Sequence, residues 1–190
     1  MHKGKNTTLE ALRDFFLARS DHDLYLATAK LARADGDDLT SGSMQTIDWD
    51  AAEFVFNKLF VGPMELQAPP YASYYLEPEP QLMGSSTLRV RRLYEMAGLF
   101  SPLQDQLPCD HLGVELDAAL GMHTMAERST DDEPRALWRY FFNDHLKVWL
   151  PSFLDRARSA DDRHPAIDLA LNQLEAWLDE QATIEEGYDQ

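Results

Sequence analysis

Apolar residues recur along this chain at three- and four-residue spacing, and no segment alternates apolar and polar positions as a strand would. Leu9, Leu12, Phe15 and Phe16 mark a first amphipathic helix, headed by the capping-box pattern Thr7-x-x-Glu10. A second is predicted over about 21–34, closed by Gly36 and followed by a polar loop from Asp37 to Ser43. Asp50-x-x-Glu53 heads a third, which carries Ala52, Val55, Phe56, Leu59 and Phe60 on the helical repeat and stops at Gly62-Pro63.

From Pro63 to Gly84 the chain holds five of its ten prolines, which predicts a long extended loop. Its aromatics Tyr71, Tyr74 and Tyr75 argue for order, and loop aromatics can face a ligand. Ser86-Thr87 is placed to cap the next helix, which ends near Ala97 before Gly98. Leu88, Leu93 and Met96 are expected inward, and Arg89, Arg92 and Glu95 outward. Asp110 is placed to cap a helix from His111 to about Arg128. Asp132, with Pro134 just inside, opens the longest run, to about Trp149, and Pro151 is expected to interrupt it.

The last helix begins near Pro165 and aligns Ile167, Leu171, Leu174 and Leu178. Trp49, Trp138, Trp149 and Trp177 sit on helices and are expected to pack in the core. Residues 1–6 and 185–190 read as frayed ends. The pattern as a whole predicts an all-α fold of about seven or eight helices in one globular domain spanning 1–190.

Composition narrows the function. Thirty-three acidic residues against seventeen basic ones give a net charge of −16. Such a surface repels nucleic acid and attracts a cationic partner such as an arginine-bearing peptide. The single cysteine excludes an internal disulfide and any multi-cysteine metal site. No apolar stretch is long enough to cross a membrane, and the start lacks an apolar leader core, so a soluble cytoplasmic protein is expected.

Chemistry-bearing residues gather in Leu107-Pro-Cys-Asp-His-Leu-Gly-Val-Glu115. Asp110, His111 and Glu115 suggest a metal-dependent hydrolase, since His111 and Glu115 lie one helical turn apart. A third ligand is missing: His123 lies about 18 Å along the same helix, and nothing in the sequence brings His145 near. HExxH, a nucleophile elbow and a phosphate loop are all absent. Cys109, beside a helix start, is either a mildly activated thiol or a small filler of the loop. The better-supported role for Asp110 is as a helix cap.

Three segments together resemble the TorD/DmsD family of cytoplasmic chaperones that mature molybdenum-cofactor oxidoreductases. They are Leu59-Phe60-Val-Gly62-Pro63 with Ala68-Pro69-Pro70-Tyr71-Ala72-Ser73-x-Tyr75-Leu76 and Leu82-Met83-Gly84 before a helix with Val90-Arg91, then Leu107-Pro108-x-Asp110-His111-Leu112-Gly113, then Phe142-x-x-His145-Leu146-x-x-Trp149. In order and spacing the likeness covers about residues 49–155. It implies an all-helical protein without catalytic turnover or cofactor, which binds the twin-arginine leader of a molybdopterin reductase precursor and holds it back from export. It carries peptide-binding roles to Leu59, Phe60, Pro69, Pro70, Tyr71, Ser73, Pro108, Asp110 and His111, with the loop aromatic Tyr75 beside them. Tyr71 stands where a tryptophan is common, and the first 45 residues match poorly. Related nitrate-reductase delta proteins imply a further option, an assembly chaperone acting on the enzyme body. Either a monomer or a domain-swapped dimer is compatible with the long loop.

Overall fold

Every regular element among the described residues is helical, as the hydrophobic spacing predicts. The computed structural model describes residues 3–34, 44, 46–63, 65–100, 103, 106–162 and 164–188. The expected stop at Gly36 and the loop from Asp37 to Ser43 lie outside the described residues. The helices are α1 (Lys3–Phe16), α2 (Asp21–Ala34), α3 (Trp49–Phe56), α4 (Ala72–Leu76), α5 (Ser85–Met96), α6 (Leu112–Arg128), α7 (Asp132–Phe141), α8 (Lys147–Arg158) and α9 (Pro165–Tyr188). A π-helical turn, Asn57–Val61, extends α3, and a second, Phe142–Leu146, joins α7 to α8.

Several boundaries differ from expectation, each for a local reason. Residues 3–6 are already helical, so Thr7 lies inside α1 rather than at its start. Asp48, not Asp50, caps α3 by accepting from Ala51 N at 3.0 Å. Glu53 instead accepts from Asp21 N, at the start of α2. Pro151 lies inside α8 on its exposed side, and the carbonyl its missing N–H would have met belongs to the equally exposed Lys147. The irregularity falls one turn earlier, in the π turn. The final helix runs through Tyr188, beyond the expected fraying at 185, while residues 189–190 lie outside the described residues.

The chain divides into two compact units, each discontinuous in sequence. The first comprises residues 1–69 and 154–177. Its apolar centre includes an aromatic chain in which Phe15 meets Phe56 and Phe60 meets Phe16 and Phe56, all edge to face. Gly62, at φ 106, turns the chain after the π turn, and Ala68 N donates to Leu59 O at 3.0 Å. Arg158 holds Glu175 through two hydrogen bonds, of 2.8 and 2.6 Å. A surface cavity of about 450 Å³ in this unit is lined by Glu65, Gln67, Arg156 and Asp161 among others.

The second unit comprises residues 70–153 and 178–190. Its core includes Val90, Leu116, Met122, Trp138, Phe141, Phe142, Trp149 and Phe153, all buried. Five consecutive residues at the start of α6, Leu112 to Leu116, are buried, so that turn is enclosed on every side. A polar residue placed there must find its partners within the protein.

Candidate functional site

The expected loop from Pro63 to Gly84 contains α4, and two backbone bonds fasten the start of α4 to the start of α6. Ala72 N donates to Asp110 O at 3.0 Å, and Leu112 N donates to Pro70 O at 2.8 Å. These bonds form an isolated antiparallel bridge pairing Tyr71 with His111. The two rings meet edge to face at 5.1 Å. His111 N closes a tight turn onto Pro108 O at 3.0 Å. Two segments far apart in sequence thus form one corner.

Capping is exchanged relative to the sequence expectation. Asp110 does not cap its own helix; its Oδ2 accepts from Ser73 N at 3.0 Å, at the first turn of α4. His111 is the residue that caps α6, with Nδ1 accepting from Gly113 N at 3.1 Å. The cause is register: α6 begins at Leu112, which puts His111 at the cap position and Asp110 one residue outside it.

An imidazole that accepts at Nδ1 must carry its proton on Nε2 and stay neutral. Burial lowers the His111 pKa to about 4, against the smaller opposing pull of the Asp110 carboxylate. Tyr71 beside it is half-buried, and its pKa is raised by burial and then by Asp110. Asp110 itself is wholly buried, yet its Oδ1 has no hydrogen-bond partner among the described residues. A buried carboxylate oxygen without a donor is costly.

One turn into α6 the chemistry is different. Glu115, also wholly buried, meets His145 Nε2 at 2.6 Å through Oε1 and accepts from Trp149 Nε1 at 3.0 Å through Oε2. Burial raises the Glu115 pKa, and His145 opposes that shift. The π turn places His145 where its ring stacks on Phe141, and Trp149 stacks in turn on Tyr75 at 5.6 Å. His145 and Trp149 are the partners that sequence reasoning missed. Their only sequence signal was the Phe142-x-x-His145-Leu146-x-x-Trp149 spacing.

This geometry gives no support to metal-assisted hydrolysis. His111 Nδ1 and both Glu115 oxygens are already engaged, and Asp110 and Glu115 serve separate clusters. Among the described residues no three His, Cys, Asp or Glu side chains are grouped to hold an ion. Cys109 is not activated either: its thiol contacts Thr87 O at 3.2 Å, and burial pushes its pKa up to about 11.

Of the residues singled out from sequence, the corner brings together Pro70, Tyr71, Ser73, Pro108, Asp110 and His111, and Tyr75 adjoins through Trp149. Leu59, Phe60 and Pro69 belong to the first unit. Leu59 and Phe60 are 1% and 2% exposed, and Phe60 is held among aromatic rings. Burial is the end state for an apolar side chain, whereas Asp110 Oδ1 is buried and unfinished.

Residues 8–155 match the model of the nitrate reductase delta subunit family. The chain belongs to that family. The matched residues include the whole corner and both partners of Glu115. Among curated relatives, the Tat proofreading chaperone DmsD of Salmonella typhi is 35% identical over 100 residues, 53% of this chain and 46% of its own length. The chaperone protein TorD of Photobacterium profundum is 32% identical over 111 residues, 56% of this chain and 51% of its own. The chain thus spans about half the length of the curated relatives it matches. Its fold is similar to that of a candidate redox enzyme maturation protein from Archaeoglobus fulgidus, with TM-score 0.58 and 22% identity over 96% of this chain and 95% of that one. By their names the DmsD and TorD relatives are chaperones. Among the described residues no helix is long and apolar enough to cross a membrane.

Proposed function

We propose that this protein is a cytoplasmic maturation chaperone that binds the twin-arginine leader of a molybdopterin oxidoreductase precursor and holds the precursor until its cofactor is in place. Family membership supports the chaperone role. The observation that carries leader binding is the Asp110 carboxylate, with one oxygen fixed by Ser73 N and the other without a donor among the described residues.

A guanidinium supplies the donor that Oδ1 lacks, and the bond is charge-assisted. Asp110 is wholly buried, so a guanidinium reaches it only where the corner opens, and half-buried Tyr71, which feels the Asp110 charge, is the group that this reading moves. Tyr71 and Tyr75 then offer aromatic surface to the apolar part of the leader. Neutral His111 keeps the backbone of the corner fixed without adding a positive charge that would repel arginine. The net charge of −16 speeds the encounter, more so at low salt.

Titration with a synthetic leader peptide tests this function. Saturable binding is expected, weaker when the arginine pair is replaced by glutamine and weaker as salt rises. A chaperone of the enzyme body would bind the precursor equally well after its leader is removed, and that outcome would displace the leader from the account.

A further inference from the structure

Between Leu82 and Phe100 the charge pattern of the chain inverts. This stretch holds three arginines against one glutamate and no lysine, in a protein of net charge −16. Arg89, Arg91 and Arg92 are all exposed, and none forms an ion pair with a described residue. Arg89 acts on the Glu77 carboxylate through space alone.

The same helix departs from the sequence expectation in its phase. Ser86, Thr87, Val90, Leu93 and Tyr94 form the buried side of α5, which turns Leu88 and Met96 outward instead of inward. Met83, Met96 and Phe100 are 71%, 73% and 80% exposed, and Leu82 and Leu88 are exposed with them.

Both ends of this face are built rigidly. At the start, the Glu77 carboxylate accepts from Ser86 N at 2.7 Å and from the Ser85 and Ser86 hydroxyls, replacing the cap expected from Ser86-Thr87. Met83 N donates to Ser73 Oγ at 3.2 Å, while Met83 itself adopts φ 61, a costly conformation for a residue with a side chain. At the far end, Leu99 N donates to Tyr94 O and Gly98 N to Glu95 O, with Gly98 at φ 65, which is a Schellman stop. Leu99 turns in against Gly121, where a Cβ would approach it to 2.9 Å, and Phe100 turns out. Strain held in place to present an exposed apolar side chain points to a use for it.

We propose that the outward face of α5, with Met83 and Phe100 at its ends, docks a protein surface that presents carboxylates beside apolar side chains. Arginines without an ion pair among the described residues complement those carboxylates, and Met, Phe and Arg without Lys is the composition of protein interfaces. The leader, itself cationic, is not the occupant, so this surface stands apart from the function proposed above.

The test uses the full chain and a synthetic amphipathic helix with leucines on one face and glutamates along its flanks. Saturable binding is expected, at least about tenfold weaker for Arg89→Glu/Arg92→Glu and for Met96→Asp, and weaker still for a peptide with glutamine in place of glutamate. These side chains are exposed, so circular dichroism and melting should be unchanged. Leader affinity of the same variants should stay within about twofold, which separates this surface from the leader site. No saturable binding of the glutamate peptide, or binding indifferent to these substitutions, overturns the proposal. Recruitment to phosphatidylglycerol vesicles that needs these residues while the peptide fails to bind overturns it too.

Discussion

Asp110 and Glu115 stand five residues apart, both carboxylates, both wholly buried, and they have come to opposite ends. Glu115 is saturated, one oxygen on His145 and the other on Trp149. Asp110 accepts from Ser73 N with one oxygen, and the other has no donor among the described residues. A saturated buried carboxylate locks elements together and has little left to offer a ligand. An unsaturated one stores free energy that an incoming donor can recover. Burial alone would have ranked the two residues equally; counting their hydrogen bonds separates them.

The comparison breaks most visibly through Glu115. Glu115→Ala removes the acceptor of two buried donors and should destabilise the protein by about 3–5 kcal/mol in denaturant titrations. A loss under about 1 kcal/mol would mean that the network is not a strut.

A pH effect of comparable size should come from His111. Its pKa lies near 4 in the folded corner against an ordinary 6.5. Between those values the unfolded chain takes up a proton that the folded protein refuses. Stability is therefore fully present above about pH 6.5 and falls as pH drops towards 4. His111→Asn keeps a capping acceptor but does not titrate. Relative to this variant, the wild type should lose on the order of 3 kcal/mol between pH 7 and pH 4. The raised pKa of Glu115 acts with the opposite sign, favouring the fold at low pH, and cancels because both proteins carry it. Parallel pH profiles would show that His111 is not a neutral cap.

Asp110→Asn should leave stability within about 1 kcal/mol, since its amide oxygen can still accept from Ser73 N, yet weaken leader binding about tenfold or more. The smallest effect belongs to Cys109. Cys109→Ala should change stability by less than about 1 kcal/mol. With its thiol near 11 instead of 9, Cys109 should react with thiol reagents about a hundredfold more slowly than a free cysteine at neutral pH.

The helical class, the extent of α2 and the apolar face of α9 were legible because each rests on local spacing. Caps were less so: Asp48 and Asp50, or Asp110 and His111, differ by a residue or two in register, which the hydrophobic pattern cannot resolve. The phase of α5 was misjudged because Leu88 and Met96 look like core residues until Val90 and Tyr94 set the buried side. Asp110, His111 and Ser73 were legible as candidates through the resemblance. Their joining into one corner was not, since it depends on α4 meeting the start of α6 across more than thirty residues of chain. His145 lies within a π turn and Trp149 just beyond it, and their local spacing does not say that the element they meet is the start of α6.

The claim that Asp110 Oδ1 receives a leader arginine is tested most directly by a double-mutant cycle in titration calorimetry. Wild type and Asp110→Asn are each titrated with the leader peptide and with its arginine-to-glutamine form. The account predicts that the peptide substitution weakens binding strongly to the wild type but little to Asp110→Asn, a coupling of about 1.5 kcal/mol or more. Equal losses with both proteins would contradict it and leave Asp110 as nothing more than the cap of α4.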